Sequence, residues 1–134
     1  MSQVKSIMTH PSPVLHVQDT LSDAVSAFAK HNVSGLPVLD GEDKLVGFVS
    51  EQDLIRQAIE DAYYCSQKAQ VQDVMTSDVK VTAPTDEVFE LGRQVINSRL
   101  RVFPVVDEGK LVGLVDRQQI LNALMVMANQ CSAV

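Results

Sequence analysis

Apolar positions along this chain switch between a helical and an alternating spacing, and the whole succession is written twice. Leu21, Ala24, Val25 and Phe28 fall at i, i+3, i+4 and i+7, and Val88, Leu91, Val95 and Ile96 make a matching stripe, so each predicts an amphipathic helix. Thr20 and Thr85 are the expected N-caps, the second preceded by Pro84. Denser apolar runs follow: Leu36 to Leu39 and Leu45 to Val49 around Asp40-Gly41-Glu42-Asp43, then Val102 to Val106 and Leu111 to Val115 around Asp107-Glu108-Gly109. Both read as hairpins. Pro37 and Pro104 have no N–H for a ladder, so each belongs at a strand start or an edge. A second helix closes each half, with Leu54, Ile55, Ala58, Ile59 and Ala62 matched by Ile120, Leu121, Leu124 and Met125. Short extended pieces, Val14 to Val17 and Val79 to Thr82, follow turn residues near the start of each half.

The duplication is steady enough to define the chain's organisation. Val4-Lys5-Ser6-Ile7-Met8-Thr9 returns 67 residues later as Val71-Gln72-Asp73-Val74-Met75-Thr76, and Gly47 returns 66 residues later as Gly113. Such an offset marks tandem repeats. The first is 1–66 and the second 67–134, with Ser66 to Gln70 as the linker and the two together forming one module.

Composition narrows the function. The 134 residues are 46% hydrophobic and 21% charged, without Trp, which describes a globular rather than a disordered chain. A net charge of -6 argues against a nucleic-acid surface, which needs a basic face. The longest apolar tract, Ile120 to Ala128, is interrupted by Asn122 and far too short to span a bilayer, and the N-terminus carries no secretory pattern, so a cytoplasmic protein is expected. Cys65 and Cys131 are then thiols at equivalent places in the two repeats. His10, His16 and His31 lack metal-ligand spacing, and no nucleophile-base set or Gly-rich phosphate loop is present, so no metal, required cofactor or catalytic group is expected. The last helix is apolar on most faces through Val126, Met127 and Ala128, which predicts self-association.

The repeated Val-x-x-Val/Ile-Met-Thr, Pro-Val-x-Asp and Lys-Leu-Val-Gly-x-Val patterns resemble the cystathionine beta-synthase (CBS) domain pair over roughly residues 2 to 126, leaving no segment for a fused effector domain. The resemblance implies an α+β fold of two β-α-β-β-α repeats packed through their sheets with pseudo-two-fold symmetry. It also implies a homodimer and an adenosine-containing ligand, AMP, ADP, ATP or S-adenosylmethionine, in the cleft between the repeats. The family's Gly-x-x-Thr/Ser-x-x-Asp motif matches Gly47, Ser50 and Asp53. There Gly47 would allow close approach, Ser50 would offer a hydroxyl at a helix start to a phosphate, and Asp53 would accept a ribose cis-diol. Helix capping alone is the alternative reading of Ser50 and Asp53. The second copy reads Asp116-x-x-Gln119, which keeps capping chemistry and loses the ligand motif.

The resemblance completes the site from the second repeat with Val81, Thr82, Leu100, Arg101 and Val102. Arg101 stands where the first repeat has Ser34, and with Arg99 nearby it could pair with a phosphate, favouring AMP, ADP or ATP over S-adenosylmethionine. Two solvated charges on a strand edge are the alternative. The expected function is a regulatory sensor that binds an adenine nucleotide and signals to a partner protein; a ligand-free dimerisation scaffold is the rival, and an enzyme is not expected.

Overall fold

The computed structural model describes residues 2–132, and its contacts divide the chain into two compact units, 13–79 and 2–12 with 80–132. These units are cut differently from the sequence repeats, because each contains the Met-Thr segment of the opposite repeat.

In the unit 13–79, β1 (Leu15–His16) runs parallel to β2 (Gly35–Leu39), which pairs antiparallel with β3 (Leu45–Ser50). Helix α1 (Leu21–His31) enters between β1 and β2, α2 (Glu51–Tyr64) follows β3, and a four-residue α3 (Val71–Val74) precedes Met75. Thr20 is the N-cap of α1 as its sequence predicts, accepting from Asp23 N at 3.0 Å while Asp23 Oδ2 accepts from Thr20 N. The helix ends where Asn32 turns left-handed, φ 52, and its N–H returns to the last turn. The buried apolar residues include Leu15, Ala24, Phe28, Leu36, Val38, Val49, Leu54 and Val71. Val25 lies outside that face and is 56% exposed, so the core stripe of α1 is narrower than its spacing predicts.

The other unit repeats the plan with α4 (Val88–Ile96), the antiparallel pair β4 (Val102–Asp107) and β5 (Lys110–Asp116), and α5 (Arg117–Ser132). A 3-10 turn at Val4–Ser6 is the counterpart of α3. The first strand shrinks to one parallel bridge, Thr82 to Val105. Neither proline sits at the strand start or edge expected of it: Pro37 is the third residue of β2, the middle strand of its sheet, and Pro104 lies inside β4, opposite Leu114 of β5, with its carbonyl accepting from Thr82 N at 3.0 Å on the other side. Val4, Val88, Leu91, Phe103, Val105, Val115 and Ile120 form the core, with Leu124 and Val95 packed against it. Two more expectations shift here. Thr85 does not cap α4: Asp86 is drawn back to Thr82 Oγ1 and Ala83 N, so the chain turns first and the helix begins at Val88 with Glu87 at its cap. Ile96, 80% exposed at the helix end, leaves the stripe, and Gly92 is buried instead, facing Leu124.

The hairpin turns use different residues for the same task. At the first, positive φ falls on Asp43 rather than Gly41, and Asp40 Oδ1 accepts from the N–H groups of Glu42 and Lys44. The N–H of Lys44, then that of Glu42, hold the Asp40 carboxyl below the ordinary Asp range. At the second, Glu108 and Gly109 both take positive φ, the pattern of a two-residue type I′ turn.

The Met-Thr segments close each unit. Thr9 and Leu114 exchange main-chain hydrogen bonds at 2.8 and 2.9 Å, as do Thr76 and Phe48 at 2.9 Å. The methionine beside each threonine then lies over a glycine: Met8 over Gly113 in β5, and Met75 over Gly47 in β3. A Cβ on Gly113 would stand 2.9 Å from the Thr9 carbonyl oxygen, which the bridge cannot release, whereas a Cβ on Gly47 would meet the Met75 side chain. Gly113→Ala is therefore expected to cost about 1–3 kcal/mol in urea unfolding and Gly47→Ala less, with Met75→Ala restoring part of the Gly47→Ala loss. The reverse order would contradict this account of the glycines.

Candidate ligand site

Gly47, Ser50 and Asp53 stand together at the end of β3 and the first turn of α2. The apolar strand delivers Ser50 to the helix start, where unpaired N–H groups need acceptors. Ser50 Oγ accepts from Asp53 N at 3.3 Å, and Asp53 Oδ2 accepts from Ser50 N at 2.9 Å and Ser50 Oγ at 3.0 Å. That is a complete capping box, and it engages one carboxylate oxygen. The other, Oδ1, faces Arg56 Nη1 at 3.6 Å, a pair whose arginine side chain is 76% exposed and whose aspartate is 14% exposed. An ion pair this open to solvent is weak, and Oδ1 can exchange it for another donor. The space freed by Gly47 is taken by Met75, so its role is to admit that side chain.

The second repeat carries the same cap with different chemistry. Asp116 Oδ1 accepts from Gln119 N at 2.8 Å, and Gln119 Oε1 accepts from Asp116 N at 2.9 Å. The amide end is engaged too, since Gln119 Nε2 donates to Thr9 Oγ1 at 3.0 Å. Both polar ends of Gln119 are therefore spoken for within the unit.

The remaining predicted residues flank β4 in the unit 2–12 with 80–132. Val81 is exposed, while Thr82 is buried and its hydroxyl donates to Asp86 Oδ2 at 2.8 Å, so it serves the turn before α4. Leu100 is half-buried against the core, and Val102 is buried as the first residue of β4. Arg99 and Arg101 are exposed. Sequence reasoning missed Arg117, whose Nε donates to Leu100 O and Nη2 to Ser98 O, both at 2.8 Å, while its N–H donates to Arg101 O at 2.9 Å. Nothing in its spacing marked it; the only signal is its replacement of Glu51 in the first repeat.

A cavity of about 1090 Å³ lies elsewhere in the unit 13–79, against α1, the C-terminal half of α2 and the connection after it. Leu21, Val25, Leu54 and Ala58 supply its apolar lining, and Ser22, Ser26, Asp61 and Gln67 its polar one, with Asp61 as the charged member; none of the residues expected at the ligand site lines it. Cys65 and Cys131 are both exposed free thiols. Among the described residues, no group of three or more His, Cys, Asp or Glu could hold a metal ion, and no helix is long and apolar enough to cross a membrane.

A family model of the CBS domain matches the chain twice, at residues 4–60 and 71–126. An inosine-5'-monophosphate dehydrogenase of Methanocaldococcus jannaschii is 36% identical over 104 residues, 77% of this chain and 20% of that protein. An uncharacterized protein of the same organism is 27% identical over 121 residues, 90% of this chain and 42% of that protein. The chain thus spans less than half the length of these two relatives. The crystal structure of a protein named CBSX2 in complex with AMP superposes with a TM-score of 0.81 at 28% identity, covering 96% of this chain and 99% of that one.

The equivalence of the two caps is open to test. Ser50→Ala and Asp116→Ala should each lower unfolding free energy by about 1 kcal/mol, as loss of a capping side chain does. A loss at one site alone would show that the two helix starts are not built alike.

Proposed function

The chain belongs to the CBS domain family, and we propose that it is a regulatory module that binds an adenine nucleotide, AMP, ADP or ATP, through Asp53 and signals the bound state to a partner protein. The observation that carries this reading is the division of labour within the Asp53 carboxylate. Oδ2 completes the cap, and Oδ1 has only a solvent-open ion pair with Arg56 to give up. An ionised carboxylate in that state accepts ribose hydroxyls without unravelling the helix start. Gln119 has no such spare group, because its oxygen caps and its amide holds Thr9. One nucleotide per chain follows.

Ser50 holds the helix start that presents Asp53, with Gly47 in the strand before it, and the exposed Arg101, with Arg99, is the proposed phosphate partner; Val81 and Leu100, and the buried Thr82 and Val102, are the other residues proposed for the site. S-adenosylmethionine carries no phosphate for Arg101 and ranks below the nucleotides. The AMP complex of a structure 28% identical to this chain supports the ligand class. The role is regulatory rather than catalytic, and the exposed thiols of Cys65 and Cys131 suit the reducing cytoplasm.

A homodimer is part of the proposal. Ile55, Ile59 and Tyr63 make an exposed stripe along α2, and Leu121 and Met125 repeat it at equivalent places on α5. Matching apolar stripes on both helices are the surface a second copy would cover. They also support the ligand-free scaffold as the second reading.

Thermal unfolding separates the two. A nucleotide at about 100 times its dissociation constant should add roughly 2.7 kcal/mol, several degrees of Tm. The shift should vanish in Asp53→Asn, which keeps an acceptor for the cap, and persist in Gln119→Ala. No shift with any nucleotide favours the scaffold, and equal loss in both variants contradicts the assignment to Asp53. In sedimentation at micromolar concentration the protein should run as a dimer and Ile59→Glu as a monomer; a monomeric wild type removes the dimer.

A further inference from the structure

We infer that Arg117 is a positioning residue for the phosphate half of the proposed site, holding Ser98–Arg101 in the shape that presents Arg101. The inference rests on the nucleotide reading above. Its basis is how the two units finish the helix that precedes their hairpin. In the unit 13–79, α1 closes on its own: Asn32 adopts φ 52 and donates to Ala29 O and Phe28 O, and Val33 N returns to Phe28 O. The left-handed residue uses the last carbonyls and fixes the path into β2. In the other unit Asn97 stays at φ -99, so α4 has no left-handed closure.

The connection from α4 to β4 is instead held from outside. Arg117 is half-buried at the start of α5, and its guanidinium forks across the connection to the carbonyls of Ser98 and Leu100, both at 2.8 Å. Its main-chain N–H takes the Arg101 carbonyl at 2.9 Å, and Ser98 Oγ accepts from Leu100 N at 3.0 Å. Every residue of the stretch except Arg99 is therefore tied to a neighbour by a named bond. A planar guanidinium makes two bonds in fixed directions, which a lysine ammonium cannot reproduce. The first repeat has Glu51 here, and its N–H still bonds Ser34 O at 3.0 Å, so the main-chain tie is common while the side-chain fork belongs to the second repeat. Ser34 is also the counterpart of Arg101. The repeat that carries the exposed cation is the repeat that carries the fork, and a preset loop spares the ordering cost an anion-binding side chain otherwise incurs.

The test uses the whole chain with Arg117→Lys, Arg117→Ala and Arg101→Ala. Without nucleotide, amides of residues 98–102 should exchange about tenfold faster in both Arg117 variants while the β4–β5 ladder keeps its protection. AMP should bind about tenfold more weakly in both, including Arg117→Lys, where the charge remains. In an Arg101→Ala background, Arg117→Lys should add less than about twofold, because Arg117 acts through Arg101. Unchanged exchange in both variants overturns the inference, as does a full tenfold loss in the Arg101→Ala background. Wild-type protein that binds no AMP overturns the nucleotide reading and the phosphate role with it, while faster exchange in the variants would then leave Arg117 as a structural tie for α4.

Discussion

Two methionines lying over two glycines hold this chain's short Met-Thr segments in place, and the rest of the structure depends on that contact. Met8 covers Gly113 and Met75 covers Gly47, each beside a two-bond main-chain bridge to the next strand residue. A side chain at either glycine would displace the methionine, and at Gly113 it would also press on the bridge itself. Because each segment comes from the opposite repeat, neither compact unit is complete without chain from both halves. The duplicated sequence is thereby made into interleaved units. The glycines lie in β3 and β5, whose register is set by pairing with β2 and β4 and which run on to Ser50 and Asp116, where the two helix starts lie.

Those helix starts show how one structural task leaves unequal remainders. Each cap must satisfy the N–H groups of its helix start, and in the second repeat Asp116 Oδ1 and Gln119 Oε1 do so by bonding each other's main-chain N–H, while the amide of Gln119 ties down Thr9. The first repeat caps with two oxygen groups and keeps one carboxylate oxygen beside an exposed arginine. Capping and ligand binding are thus compatible at Asp53, since they use different atoms of one side chain.

Much of this was legible before the fold was known. The hairpins, the four long helices and the Thr20 cap follow from periodicity and turn chemistry, which are local, and the Ser50 and Asp116 boxes follow from their spacing. What the sequence could not carry is what depends on distant chain. Thr85 loses the cap of α4 because Asp86 prefers Thr82 and Ala83. Val25 and Ile96 fit a helical stripe by spacing, yet they face solvent. Gly47, read as room for a ligand, is room for Met75, a residue of the other repeat. Arg117 escaped notice because its partners are main-chain carbonyls, which leave no mark in a pattern of side chains.

A module that binds one nucleotide on a duplicated frame is the claim that ties these features together. Equilibrium dialysis with AMP counts the sites directly. The account predicts one AMP per chain at saturation, reduced to none by Asp53→Asn. Two per chain would mean that Gln119 gives up its bond to Thr9 and that the repeats are equivalent, and none would leave the frame without the ligand proposed for it.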